Sequence, residues 1–423
     1  MVVIKKPQAR PFDIGKCARP NILALKPYIS DRCLPADIDI ILLDANENAF
    51  GPCIPSAKRT PSPDAGVDIQ STLDPEALQL HRYPNEQSTA LKQLLCDYRG
   101  GDTKALSVDN ICLSVGSSES IDTLIRTFCT PGRDKILICP PTFVMYEVSA
   151  NVNDVGVVRI SLDTENGFTL QVSAINEALS QDPSIKIVFI CTPGNPTGNL
   201  LDKSDILQIL EHPTWNGVVV VDEAYIDFAP PGSSMVSDVN KWPNLVVTHS
   251  FSKTFGLAAI RLGITYSQPQ ISRLLNNLQI PYRISSPTVA LAMAALSAEG
   301  IALMESSRAR MAKQRKRMQL ELPKIPGFGK VLGGFQANFL LVQFLSKPAD
   351  EGGVPDNSVA AAIMSELAGE SRILVRNLGA QPGCLGALRI TVGTEREVDD
   401  LLLQLRRMLR EIYAGRMRED LDT

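Results

Sequence analysis

The feature that most constrains this chain is a run of four valines, Val218 to Val221, ending in Asp222. Successive side chains of a strand point to opposite faces. A strand that is apolar at every position must therefore be covered on both sides, as in a parallel sheet sandwiched between helices. The run has neighbours of the same kind. Lys135–Cys139, Gly156–Ile160, Ile185–Cys191, Gly217–Asp222, Asn244–Thr248 and Leu262–Thr265 read as short strands. Helical patterns lie between them, among them Glu119–Phe128, Val172–Leu179 and Asp202–Glu211. Strands alternating with helices predict a doubly wound α/β domain over about residues 110–270.

The flanking regions read differently. The first 45 or so residues are punctuated by proline and lack steady periodicity, which predicts an extended arm. Residues 51–75 are rich in Pro, Ser, Asp and Gly and read as a loop or surface insertion. Beyond 290 a long helical stretch, Thr288 to Leu320, precedes strand-like Ala337–Gln343, Arg372–Val375 and Ala387–Val392. An amphipathic helix from Glu395 to Arg418 follows. That mixture predicts a smaller α+β domain. The expected division is 1–60 as arm and part of the small domain, 61–290 as the large domain, and 291–423 as the small C-terminal domain. A length of 423 residues agrees with this, at roughly 150 residues per domain.

Composition excludes several classes of function. Lys and Arg total 42 against 46 Asp and Glu, so no global field draws a polyanion, and any anion site must be local. The basic run Arg308 to Arg317 reads as a solvated helix face, not a nucleic-acid patch. Nine cysteines, at 17, 33, 53, 96, 112, 129, 139, 191 and 384, form no C-x-x-C pair and read as buried thiols in a reducing compartment. Three widely separated histidines, His81, His212 and His249, give no basis for a metal site. Met1–Arg10 lacks an apolar stretch, and no apolar run is long enough to span a bilayer. A cytoplasmic protein without membrane or nucleic-acid partners is expected. Gly327-Phe328-Gly329 with Gly333-Gly334 fails the spacing of a dinucleotide loop and reads as a turn.

In open α/β sheets ligands bind beyond the carboxyl ends of the strands. The residues there are unusually polar. Strand 185–191 runs into Thr192-Pro193-Gly194-Asn195-Pro196-Thr197-Gly198, a turn that holds Asn195 at the strand end. Asp222 ends the valine run, with Tyr225 three residues on. A carboxylate there is partly buried and needs a cationic partner. Strand 244–248 leads into Ser250-Phe251-Ser252-Lys253, and Arg261 follows eight residues later. A lysine in such a crevice can lose its proton and act as a nucleophile. Gly116-Ser117-Ser118-Glu119 opens a helix, whose free amides and dipole attract an anion. A phosphate cradle, a buried aspartate, a lysine nucleophile and Asn and Tyr donors together suit pyridoxal 5'-phosphate.

The segments NENAFGP, TPGNPTG, VVVDEAYIDF, SFSKTFGLAAIRLG and LRITVGT resemble those of fold-type I pyridoxal-phosphate-dependent aminotransferases. More narrowly the chain is similar to histidinol-phosphate aminotransferases, through Asn21-Ile22 to Pro27-Tyr28, Arg82-Tyr83-Pro84, Cys139 to Tyr146, and the pair Arg376 and Arg389. The likeness runs over about residues 19–410. It implies an α/β fold with a large doubly wound domain, a mostly parallel sheet and a smaller α+β domain. By position it makes Lys253 the amine that captures the cofactor aldehyde and later shuttles a proton. Asp222 becomes the partner of the ring nitrogen, and Asn195 and Tyr225 the donors to the ring oxygen. Ser250, Ser252, Arg261, Ser117 and Ser118 hold the phosphate, and Phe143 stacks on the ring. Many relatives carry Tyr at that stacking position; Phe keeps the stacking and drops the hydroxyl. Tyr83 reaches the neighbouring subunit's cofactor phosphate across a homodimer interface.

For substrates, the resemblance implies ping-pong transfer of an amino group from L-histidinol phosphate to 2-oxoglutarate, in histidine biosynthesis. Arg389 and Arg376 would clamp the anionic ends, since a guanidinium grips a carboxylate or phosphate as a fork. Tyr28 and Asn46 would line the same pocket. Two other enzymatic readings stay open here: decarboxylation of an O-phosphorylated amino acid and transamination of aromatic amino acids. A cofactor-binding domain of a transcription regulator would need a helix-turn-helix segment, and the short proline-rich arm has no room for one.

Overall fold

The structure, a computed structural model, describes residues 13–25, 40–55, 73–100 and 105–419. Its strands are β1 (Ile41–Leu42), β2 (Ile111–Val115), β3 (Lys135–Ile138), β4 (Gly156–Arg159), β5 (Ile185–Cys191), β6 (Val218–Asp222), β7 (Leu245–Ser250), β8 (Leu262–Ser267), β9 (Phe328–Leu332), β10 (Phe339–Phe344), β11 (Ile373–Leu374), β12 (Arg376–Asn377) and β13 (Ala387–Thr391). Seven of them form one sheet in the order β2-β8-β7-β6-β5-β3-β4. The pairs from β7 to β4 are parallel, whereas β8 is antiparallel to both its neighbours.

The valine run explains the layers. Val219 and Val221 of β6 pack into one apolar cluster with Val188, Ile190 and Val247. Val218 and Val220 point the other way, into a second cluster with Ile187, Phe189 and Val246. Both faces are dry, as the sequence requires. Burial of each such side chain stabilises the fold by roughly 1.5–3 kcal/mol.

A third apolar cluster belongs to an antiparallel sheet ordered β12-β13-β10-β9, covered by Asn357–Gly369 and Glu395–Glu419. The helix Ala298–Glu321 joins the cores: Met304 sits in the first, Met311 and Met318 in the third. A small parallel pair, β1 with β11, ties residues 41–42 to 373–374. This pairing carries residues 44–47 over the open edge of the large sheet, where they line its cavity.

Several expectations need correction. The helical stretch Thr288–Leu320 is two helices, Ser286–Ala295 and the one beginning at Ala298, which meet at 72°. Ser297 breaks the run by capping the second helix, its hydroxyl accepting from the Gly300 amide. Gly300 also permits the sharp corner, because a Cβ there would lie 2.6 Å from Ala294 O. The glycines around 327–334 bracket a strand, β9, and not a simple turn; Gly327 and Gly333 take positive φ at its two ends. Strand β2 escapes the apolar pattern because Ser114 interrupts it, whereas the helix after it opens at Gly116, where the Gly116 to Glu119 segment is read to open it. The arm is not extended throughout: Ile14–Cys17 and Pro20–Leu23 each form one helical turn, and Asn21 donates to Asn151 O and Val152 O. Residues 56–72, most of the expected insertion, lie outside the described residues.

No single helix among the described residues is long and apolar enough to cross a membrane. The eight described cysteines are free thiols and seven are buried. Burial pushes Cys139 up to about 12 and Cys96 to about 11, so they are protonated packing groups.

Candidate active site

The carboxyl ends of β5, β6 and β7 open into a cavity of about 520 Å³. Asp222 is the last residue of β6 and 2% exposed. Its Oδ2 accepts from the Tyr146 hydroxyl at 2.7 Å and its Oδ1 from the Ala224 amide at 3.2 Å. Burial pushes this carboxyl up; Tyr146, the Ala224 amide, Thr248 and the Lys253 charge draw it back. Lys253 stands three residues beyond β7, and its Nζ donates to Ala45 O at 2.8 Å. A lysine and a carboxylate thus line one cavity, each held by the chain, with room between for a small molecule.

Tyr225 is buried, and burial raises its phenol well above the ordinary value. Its oxygen accepts from Asn46 Nδ2 at 2.8 Å, so the phenolic proton is left to donate elsewhere. Asn195 Oδ1 accepts from Arg389 Nη1 at 2.7 Å, which turns its amide N–H group outward as a second donor. Both features suit an anionic oxygen on a bound ring.

The other end of the cavity is built for an anion. The helix Gly116–Phe128 presents its first amides there, beside Ser117 and Ser118. Ser250 and Ser252 hydroxyls lie 2.9 Å apart on the same wall. Arg261 comes to this edge because β8 runs backward: the residue before an antiparallel strand sits where its neighbours end. Arg261 takes a left-handed φ of 54°, and Gly116 a φ of 77°. A Cβ on Gly116 would collide with the Arg261 guanidinium, so this glycine is the gap through which the arginine reaches the helix start.

Arg376 and Arg389 face each other across β12 and β13 and line the cavity's far side. Arg389 is nearly buried and also donates to Asp44 O.

The cavity therefore gathers Asn46, Ser117, Ser118, Phe143, Asn195, Asp222, Tyr225, Ser250, Ser252, Lys253, Arg261, Arg376 and Arg389. Tyr83 does not line it. That side chain is 81% exposed and stacks on Tyr282 with centroids 4.6 Å apart. Tyr28 lies outside the described residues. Asn46 is 1% exposed and spends its amide on Tyr225 and Thr391. Sequence reasoning missed Tyr146, 76 positions from Asp222, and the loop Asn377–Gln381 on the cavity wall. Tyr146 carried a signal, a tyrosine three residues beyond Phe143 on the helix that follows β3.

The donor set fits pyridoxal phosphate: an amine, a buried carboxylate, two outward donors and an anion cradle that a Cβ at Gly116 would fill. A family model described as aminotransferase class I and II matches residues 38–405. The chain belongs to the class I and II aminotransferases. It is 46% identical to a Schizosaccharomyces pombe protein named histidinol-phosphate aminotransferase, over 95% of this chain and 99% of that one. A Candida maltosa protein of the same name is 43% identical over 95% and 99%. In fold, this aminotransferase superimposes on the histidinol-phosphate aminotransferase of Sinorhizobium meliloti, solved in complex with pyridoxal-5'-phosphate. That match has a TM-score of 0.78 at 21% identity, over 94% and 98% of the two chains.

Proposed function

We propose that this aminotransferase uses pyridoxal phosphate to transfer the amino group of L-histidinol phosphate to 2-oxoglutarate, giving imidazole acetol phosphate and L-glutamate. The observation that carries the reading is the convergence of Lys253, Asp222 and the Arg261 cradle on one cavity, in a chain so similar to named histidinol-phosphate aminotransferases. The cofactor supplies an electrophilic aldehyde and a charged ring that draws electrons from the substrate's α-carbon.

The protein's residues do the rest. Lys253 would hold the cofactor through its aldehyde, and its amine would carry the proton to and from the substrate's α-carbon. Asp222 keeps a proton on the ring nitrogen. Tyr225 and Asn195 donate to the ring oxygen. Ser117, Ser118, Ser250, Ser252 and Arg261 hold the phosphate, and Phe143 covers one ring face. Arg389 grips a carboxylate or the phosphate as a fork and Arg376 the distal anion, so one pocket serves phosphate and carboxylate in turn. Asn46 braces the Tyr225 hydroxyl from the wall of that pocket. The exposed Tyr83 serves a second copy of the chain, which makes the working unit a homodimer in the cytoplasm.

The test compares L-histidinol phosphate, phenylalanine, tyrosine and threonine phosphate as amino donors with 2-oxoglutarate, with and without Lys253→Ala. Histidinol phosphate is expected to dominate, and borohydride is expected to fix the cofactor in the wild type alone. Carbon dioxide released from threonine phosphate without a keto acid would overturn the reading in favour of a decarboxylase. A borohydride-fixed linkage at the usual site in Lys253→Ala would overturn the assignment of the nucleophile.

A further inference from the structure

We infer that Tyr146 is a positioning residue for the cofactor ring, its hydroxyl fixing the Asp222 carboxylate and its aromatic ring bracing Phe143. The inference rests on the proposed cofactor chemistry and adds to it a residue that touches neither cofactor nor substrate.

Tyr146 is fully buried, on the helix Met145–Val152. Its ring stacks on Phe189 with centroids 4.7 Å apart and planes 12° apart. Phe143 meets it edge-on at 5.8 Å and 90°. Its hydroxyl donates to Asp222 at 2.7 Å. One side chain therefore sets two walls of the ring slot: the face at Phe143 and the nitrogen partner at Asp222.

The Asp222 surroundings make that hydroxyl decisive. Cys191 pairs with it from β5, Thr248 from β7, Lys253 adds charge from the loop, and Tyr225 lies three residues on. The Cys191 thiol is pushed up by burial and stays neutral, and the Tyr225 oxygen is engaged with Asn46. Tyr146 and the Ala224 amide are the donors that meet the carboxylate oxygens. Burial favours the protonated acid. Removal of the phenol hydroxyl takes away the strongest of the supports that hold Asp222 ionised before the cofactor enters, leaving the Ala224 amide, Thr248 and the Lys253 charge.

The experiment measures cofactor dissociation constants by visible absorption and fluorescence for wild type, Tyr146→Phe, Phe143→Leu and Asp222→Asn, between pH 6 and pH 9. Tyr146→Phe preserves both ring contacts. It is expected to bind pyridoxal phosphate roughly 10–100-fold more weakly near neutrality, as for loss of a hydrogen bond to a charged group. The deficit is expected to shrink as pH rises and Asp222 ionises unaided. Wild type serves as the reference at every pH. Phe143→Leu is expected to weaken binding by a factor that does not change with pH, and Tyr146→Phe to add little in the Asp222→Asn background. Tyr146→Gln, which keeps a donor that does not titrate, is expected to narrow the deficit at low pH and reads the same point should the Phe variant fold poorly. A Tyr146→Phe deficit constant across the pH range, or none, overturns the inference. Failure of the wild type to bind the cofactor would instead sink the proposed function.

Discussion

Behind the cavity lies a buried charge cluster whose removal has a calculable cost. Asp227, in the turn Ile226–Phe228, accepts from Arg99 Nη2 at 2.7 Å and from the Tyr98 hydroxyl at 3.1 Å. The Arg99 and Asp227 side chains are 11% and 4% exposed. His249 of β7 places Nε2 at 2.6 Å from Arg99 Nη2 and 3.1 Å from Asp227 Oδ2. Burial alone would raise the Asp227 carboxyl, but the Arg99 charge leads the causes that outweigh it and hold it far below the carboxylate range. Burial and the Arg99 charge both lower His249, which favours the neutral imidazole accepting from the guanidinium.

Asp227→Asn keeps the shape and strands the guanidinium. Removing one partner of a buried ion pair costs about 3–5 kcal/mol. At 2–4 °C per kcal/mol for a domain of 150–250 residues, the melting temperature is expected to drop by roughly 6–20 °C. The assay is circular-dichroism melting of the apoprotein at pH 7.5, where Asp227 is ionised and His249 neutral. Acidification supplies a second check. His249 has its folded pKa lowered, so its contribution is present above about pH 6.5 and is lost as pH falls from there; that of Asp227 goes only below its unfolded value of 3.8. The variant should therefore show the first loss deepened, because Asp227 no longer supports the imidazolium, and be spared the second. A melting temperature within 2 °C of wild type at pH 7.5 would show that Arg99 finds water in place of Asp227, and the reasoning fails.

Three further outcomes follow from the geometry. Gly116→Ala drives a methyl into Arg261 at a backbone φ of 77°, and cofactor affinity is expected to fall at least tenfold in an absorbance titration while the apoprotein melts within a few degrees of wild type. Glu223 is buried and raised to about 7, accepting from Ser234 Oγ and Met235 N at 2.6 Å each; a carboxyl with a raised folded pKa loses stability as pH climbs from 4.5 to 7, and urea titrations are expected to show that loss flattened in Glu223→Gln. Arg389→Lys removes the fork that spans Asn195 and Asp44 O, and kcat/KM for both amino donor and keto acid is expected to fall about 100-fold or more in steady-state assays.

The legible part of the molecule was the part whose physics is local in sequence. A strand buried on both faces advertises itself, and β5, β6 and β7 could be found from their side chains alone. The polar residues at their ends were then located by the strand-end rule. Contacts that close through space stayed hidden. Tyr146 meets Asp222 across 76 residues, and Arg99 meets His249 across 150. Nothing in either neighbourhood announces the partner. The break at Ser297 was hidden for another reason: apolar periodicity continues through it, and a single capping hydroxyl turns the chain. Strand β9 was masked by its flanking glycines, which mark both a turn and the ends of a strand.

The two ends of the cavity follow different structural rules. The cofactor end stands on strands with both faces packed, and its groups sit at a rigid strand end or within four residues of it. The substrate end is assembled from separate pieces. Arg376 and Arg389 come from the antiparallel sheet, Asn46 from the segment after β1, and these meet where β1 pairs with β11, Asn338 donates to Asn46 O at 3.0 Å and Arg389 donates to Asp44 O. The two-residue strands β1, β11 and β12 supply few ladder bonds, so these stitches are expected to open before the sheet does. An enzyme that must accept a phosphate and then a dicarboxylate in one pocket needs compliance there and rigidity around the ring. The division of the molecule into a tightly packed sheet and a loosely stitched wall supplies both, and it places changes of donor preference in residues 376–389 and the arm, away from the strand ends that hold the ring.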